Sequence, residues 1–155
     1  MFEISNYCKK ISLKIPARLH LDVMNIQKLQ EGKIGGGGIG IAIKCNIYMC
    51  VEVINTEDDI IESIKPNLVK FYLDLIRKYL NINKKFHVIC KVDKELKTHG
   101  GMGSNALVQL GVVYSINCLF NNPLSEWQLI DFLHQNYYED DNGIVTDKVF
   151  CSGVA

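Results

Sequence analysis

The stretch that decides the fold is Glu95-Leu-Lys-Thr-His-Gly-Gly-Met-Gly-Ser-Asn-Ala-Leu-Val-Gln-Leu-Gly-Val-Val-Tyr-Ser-Ile-Asn-Cys-Leu119. A strand-like segment, Phe86 to Val92, precedes it, and an apolar helix pattern without proline follows its glycines. Between the two lie His99, Gly100, Gly101, Met102, Gly103, Ser104 and Asn105. A glycine-rich turn into a helix leaves backbone N–H groups unpaired at the positive end of the helix dipole, which favours an anion. Glycine lets the backbone take positive φ and come close to phosphate oxygens. Ser104 can cap the helix or offer its hydroxyl to a metal or a phosphate. Glycine count alone leaves two readings open: an anion-binding loop, or a plain strand-to-helix turn with a serine cap.

Upstream, Ile11 to Ile26 reads as a long strand. Ile11, Leu13 and Ile15 alternate with Ser12 and Lys14; after Pro16, Leu19, Leu21 and Val23 alternate with Arg18, His20 and Asp22. Pro16 cannot donate to a ladder, so it marks an edge, a bulge or a break. The row Arg18, His20, Asp22 lines a site or is a solvated face. Gln27 to Gly40 is a polar loop containing Lys33 and ending in a glycine run, Gly35 to Gly38, then Ile39 and Gly40. Four consecutive glycines fit regular structure poorly. Ile41 to Ile54 is a strand rich in β-branched residues.

Pro66 to Leu80 carries Leu68, Phe71, Tyr72, Leu75, Ile76 and Tyr79 at helical spacing, with Pro66 suited to the first turn. The helix after the glycines, Asn105 to Phe120, is apolar nearly all round and is expected to be central and buried. Asn121-Asn122-Pro123 ends it. Ser125 then caps a third helix running to about Asn136.

With 155 residues the chain is expected to form one domain with a real core. Its formal net charge is zero, which argues against a nucleic-acid surface built on bulk charge. Of 17 lysines and arginines only Arg18 and Arg77 are arginines, so each stands out as a bidentate anion binder. The six cysteines form no C-x-x-C pair and read as small core residues in a reducing compartment. No apolar run approaches the roughly 20 residues of a membrane span and no signal peptide is evident, so a cytoplasmic protein is expected.

Three ordered motifs resemble one superfamily. Pro16-Ala17-Arg18-Leu19-His20-Leu21 resembles the first motif of the GHMP kinases, those of galactose, homoserine, mevalonate and phosphomevalonate. Gly101-Met102-Gly103-Ser104-Asn105-Ala106 sits where that superfamily has its phosphate-binding loop. Gly32-Lys33, the glycines Gly37, Gly38 and Gly40, and His99 to Ser104 look most like the branch of β-ribofuranosylaminobenzene 5'-phosphate synthase. Lys33 stands where that branch has arginine, and Asn105 replaces the second serine of the kinase loop.

The resemblance implies an α/β two-layer domain over residues 1–155, a mixed sheet backed by helices, of the ribosomal protein S5 second-domain type. It implies that His99, Gly100, Gly101, Met102, Gly103, Ser104 and Asn105 bind a nucleotide, with Ser104 toward a metal. Arg18 and Lys33 would neutralise phosphate charge, and Asp147 is the candidate catalytic aspartate. The cofactors implied are ATP and Mg2+ for a kinase; for the synthase branch, phosphoribosyl diphosphate would be substrate and pyrophosphate would leave. A small-molecule substrate is implied, with no nucleic acid and no membrane as partners. The superfamily's C-terminal domain has no counterpart in these residues. The chain thus resembles an N-terminal half, expected to be inactive alone, to need a second domain or chain, and to self-associate through the surface left open. A non-catalytic nucleotide- or partner-binding domain is the other reading.

Overall fold

The computed structural model describes residues 8–23, 38–93 and 104–136. They form four strands and three helices: β1 (Lys10–Val23), β2 (Gly38–Ile54), β3 (Ile60–Ser63), α1 (Pro66–Leu80), β4 (Lys85–Val92), α2 (Ser104–Leu119) and α3 (Glu126–Gln135). The sheet order is β1-β2-β4-β3. β1 and β2 pair antiparallel, as do β2 and β4, whereas β3 and β4 are parallel, joined across α1. The expected mixed sheet backed by helices is therefore present.

Alternation decides which face is covered. Ile47, Met49 and Val51 of β2 and Phe86, Val88 and Cys90 of β4 are buried under the helices. The opposite face carries Lys10 paired with Glu52 at 3.1 Å, His87 with Glu62 at 2.7 Å, and Lys14 over the Tyr48 ring. Helix α2 lies close on the sheet because of one glycine. A Cβ on Gly111 would stand 2.8 Å from Met49 Cε and 2.9 Å from Ile15 Cδ1.

Helix α1 has the expected bounds, with Pro66 in its first turn and Asn81 in the left-handed conformation at its end. There the Ile82 N–H donates to the Arg77 carbonyl at 2.9 Å. Its buried stripe is Leu68, Val69, Tyr72, Leu73, Ile76 and Leu80, one position round from the expected set. Tyr79 stays largely exposed and sets its ring edge against Phe132. Asn121 and Asn122 both have positive φ after α2, so the break expected there is built from two left-handed asparagines. Asn117 clamps that turn: its side chain accepts from Leu124 N and donates to Leu124 O, each at 2.9 Å. Ser125 caps α3 in a capping box with Gln128.

Two expectations are corrected. Beyond Pro16 the alternation does not continue into the core. Ile11, Leu13, Ile15 and Ala17 face inward, but Leu19 and Leu21 are 40% and 55% exposed. The pairing slips between Pro16 and Arg18 and again between His20 and Asp22, and β4 pairs only with Ile47 to Ile54. The far parts of β1 and β2 therefore form a two-stranded ribbon beyond the sheet. The cysteines also differ: Cys45 and Cys90 are buried, Cys50 and Cys118 half-buried, and Cys8 exposed.

Candidate functional site

The start of α2 is the part of the expected site that the structure describes. Ser104 and Asn105 form its first turn and both are buried, at 8% and 5% exposure. That turn contains no acidic residue, so nothing on the helix itself offsets the positive end of its dipole. The Asn105 Oδ1 atom has no hydrogen-bond partner. A buried acceptor left unpaired is costly, so this oxygen calls for a donor or a cation.

The residue that follows β4 is held by hydrogen bonds to β2. Asp93, at the end of β4, accepts from the Asn46 backbone N–H at 2.7 Å and the Asn46 side chain at 3.1 Å. The Asp93 N–H donates back to the Asn46 carbonyl at 3.0 Å. Asn46 sits opposite Pro16, where the ribbon leaves the sheet. The exit of β4 is thus fixed to the base of the ribbon. The sequence reading missed this pair; its signal, an aspartate directly after a strand, is common to many turns.

Arg18 is half-buried on the ribbon, registered opposite Ala42. Its Cδ lies over Gly40, 3.9 Å from where a Cβ there would be. Arg77, noted as a second anion binder, is spent on structure. It donates to both oxygens of Asp59, at 2.8 and 2.7 Å, to Asp74 at 2.6 Å and to the Lys84 carbonyl, and its guanidinium stacks over Phe86. Asp59 also accepts from the Phe86 N–H at 2.8 Å, so this node ties the β2–β3 turn, α1 and β4 together.

Lys33, His99, Gly100, Gly101, Met102, Gly103 and Asp147 lie outside the described residues. Of the expected site, the structure brings together Ser104 and Asn105 and places Arg18 on the ribbon. Among the described residues no cluster of His, Cys, Asp and Glu is arranged to hold a metal, and no helix is long and apolar enough to cross a membrane. The shifted titrating groups lie elsewhere. Burial pushes up the thiols of Cys90 in the sheet and Cys118 near the far end of α2.

Comparison with known proteins agrees with this architecture. The fold is similar to homoserine kinase from Cytophaga hutchinsonii, with a TM-score of 0.60 at 17% identity over 86% of this chain and 42% of that one. Phosphomevalonate kinase from Streptococcus pneumoniae gives 0.59 at 18%, over 81% and 39%; mevalonate kinase from a methicillin-resistant Staphylococcus aureus gives 0.56 at 15%, over 82% and 44%. The chain spans less than half the length of these kinases. No curated protein matches it in sequence. The family model described as the GHMP kinases N terminal domain matches residues 67–147, which takes in α1, β4, the glycine-rich segment, α2 and α3. That match covers more than half of the residues, and the chain belongs to the GHMP kinase N-terminal domain family.

Proposed function

We propose that the glycine-rich segment His99 to Gly103 and the first turn of α2 bind the phosphates of ATP, as part of a GHMP-type small-molecule kinase. The observation that carries this is the buried first turn of α2, free of acidic residues and holding the unpaired Asn105 Oδ1, inside the family match. Ser104 offers a hydroxyl oxygen, which suits Mg2+, a hard cation that takes oxygen ligands. When bound, the ion neutralises charge on the phosphates. Phosphoryl transfer asks a protein mainly for positioning and electrostatic stabilisation. Backbone N–H groups at the start of α2 would hold phosphate oxygens, Arg18 and Lys33 would offset their charge, and Asp147 would take the acceptor proton.

This chain covers less than half the length of the kinases of similar fold, so a second lobe, on the same or another chain, is part of this proposal. A site between two lobes loses a wall when one is missing, and water then weakens each charge contact. Turnover is therefore expected only when the second lobe is present.

Asn105 favours keeping a second reading. It stands where the kinase loop has a serine, and a carboxamide is a poorer Mg2+ ligand than the hydroxyl it replaces. In the synthase-like reading the same loop would hold the pyrophosphate of phosphoribosyl diphosphate. Thermal-shift measurements separate the cases. Stabilisation by ATP that grows with Mg2+ supports the kinase. Stabilisation by phosphoribosyl diphosphate and not ATP supports the synthase-like reading. No response to either supports a domain that binds only a partner.

A further inference from the structure

The middle of α2 holds a polar side chain that neither its fold nor its proposed ligand accounts for. Gln109 is 0% exposed, and both of its amide atoms, Oε1 and Nε2, lack a hydrogen-bond partner. Because both atoms are unpaired, exchanging the amide's oxygen and nitrogen would not remove the problem. Gly111 marks the side of α2 that meets Met49 and Ile15 of the sheet. Two residues along a helix is about 200° of rotation, so Gln109 faces away from the sheet. Asn105, one turn earlier, lies on the same side, since residues four apart stack on one helix face. Its Oδ1 is the other unpaired buried atom in this half of the helix.

The three unpaired atoms form a complementary set: two acceptors, Asn105 Oδ1 and Gln109 Oε1, and one donor, Gln109 Nε2. A water molecule can donate twice and accept once, and buried water typically makes about three hydrogen bonds to polar groups left over by the fold. A hydrophobic residue at this fully buried position would carry no such requirement. Resting on the nucleotide-site reading above, we infer that Gln109 is a positioning residue, which through a shared buried water fixes the Asn105 side chain at the mouth of the phosphate site. Gln109 itself stands a full turn inside the helix and touches no ligand. Groups that orient a ligating side chain from behind commonly change affinity about tenfold or more when removed.

The test uses the 155-residue chain and three variants: Gln109→Met, which keeps the length of the side chain and its helix preference, Asn105→Ala, and the double variant. The first readout needs no nucleotide. In water-to-protein magnetisation-transfer NMR, the Gln109 side-chain amide should show a cross-peak to a long-lived water. A dry amide overturns the inference. The second readout is Mg2+-ATP affinity by calorimetry. Gln109→Met should bind about tenfold more weakly with its helical signal unchanged, and the double variant no more weakly than Asn105→Ala alone. If the two losses add, or if Gln109→Met becomes more stable and binds as wild type does, Gln109 is an isolated buried amide and the positioning role is wrong. If the wild-type 155-residue chain binds no ATP, the NMR result decides the positioning role by itself, a dry amide overturning it. The nucleotide reading is overturned only if the chain joined to its second lobe also binds none.

Discussion

The two parts of the β1–β2 pair carry similar side chains and meet different surroundings. In the body of the sheet, Ile47 of β2 is fully buried, with Ile15 opposite it and β4 on its other side. In the ribbon, Ile41 lies opposite Leu19, and the two are 53% and 40% exposed. Both positions hold a β-branched residue in a long antiparallel strand. The difference comes from what lies beside and above them: a third strand and a helix in one case, neither in the other among the described residues. A two-stranded ribbon by itself is marginally stable in water, because it has no layer to bury its apolar face against. Strand propensity fixed where the backbone extends, and packing fixed which part of it is core.

The largest expected effect tests that contrast directly. Ile47→Ala removes buried methyl groups at 0% exposure and should cost about 3 kcal/mol of unfolding free energy in urea titration. The same truncation at Ile41 should cost less than about 1 kcal/mol. Equal losses at the two positions would mean that the ribbon is packed as tightly as the sheet. Next comes the node that closes the body at its other edge. Arg77→Met keeps the stem over Phe86 and leaves Asp59 without its two guanidinium bonds, and should cost about 2 kcal/mol. Asp59 still accepts from Phe86 N–H, so the loss should stay below that of a fully buried, unpaired carboxylate.

A pH effect separates the body from the ribbon in another way. Burial raises the Cys90 thiol above its ordinary 9.0, against a smaller opposing hydrogen bond with Ser63. In the unfolded chain the thiol ionises first as pH rises. Its stabilising contribution is therefore complete below pH 9 and is lost as pH climbs through the raised folded value. Cys90→Ala should cost about 1 kcal/mol at pH 7.5, and the gap to wild type should narrow at pH 10. A gap that is constant with pH would show that the folded thiol ionises as readily as the unfolded one.

How legible all this was depends on distance along the chain. Helix α1 was readable because Pro66, the apolar spacing and Asn81 lie within one local window. The break after α2 was readable from Asn121, Asn122 and Pro123 for the same reason. Strand β3 is four residues long, too short for an alternation to stand out. Arg77 looked like an anion binder because its partner, Asp59, is 18 residues away and a sequence does not show who pairs with whom. The first turn of α2 was legible as a motif, through its glycines and serine. The unpaired state of Asn105 and Gln109 was not, because it depends on what surrounds them in space.

The smallest expected effect is the one that tests the ribbon most closely. In the double substitution Leu19→Thr with Ile41→Thr, threonine is β-branched and keeps the preference for an extended strand, while the apolar surface of a directly opposed pair is removed. If that pair faces water, the change takes little apolar area out of any interior, and stability should move by less than about 0.5 kcal/mol. Amide exchange should separate the two regions as well: protons of the ribbon should exchange through local opening, faster than those of Ile47 to Val53, in wild type and variant alike. Any self-association of the wild-type chain through the ribbon should fall in the variant, read as a lower apparent mass in light scattering. A loss of more than about 1 kcal/mol with slow ribbon exchange in the wild type would place these two side chains against another part of the folded chain, and the division between body and ribbon would have to be redrawn.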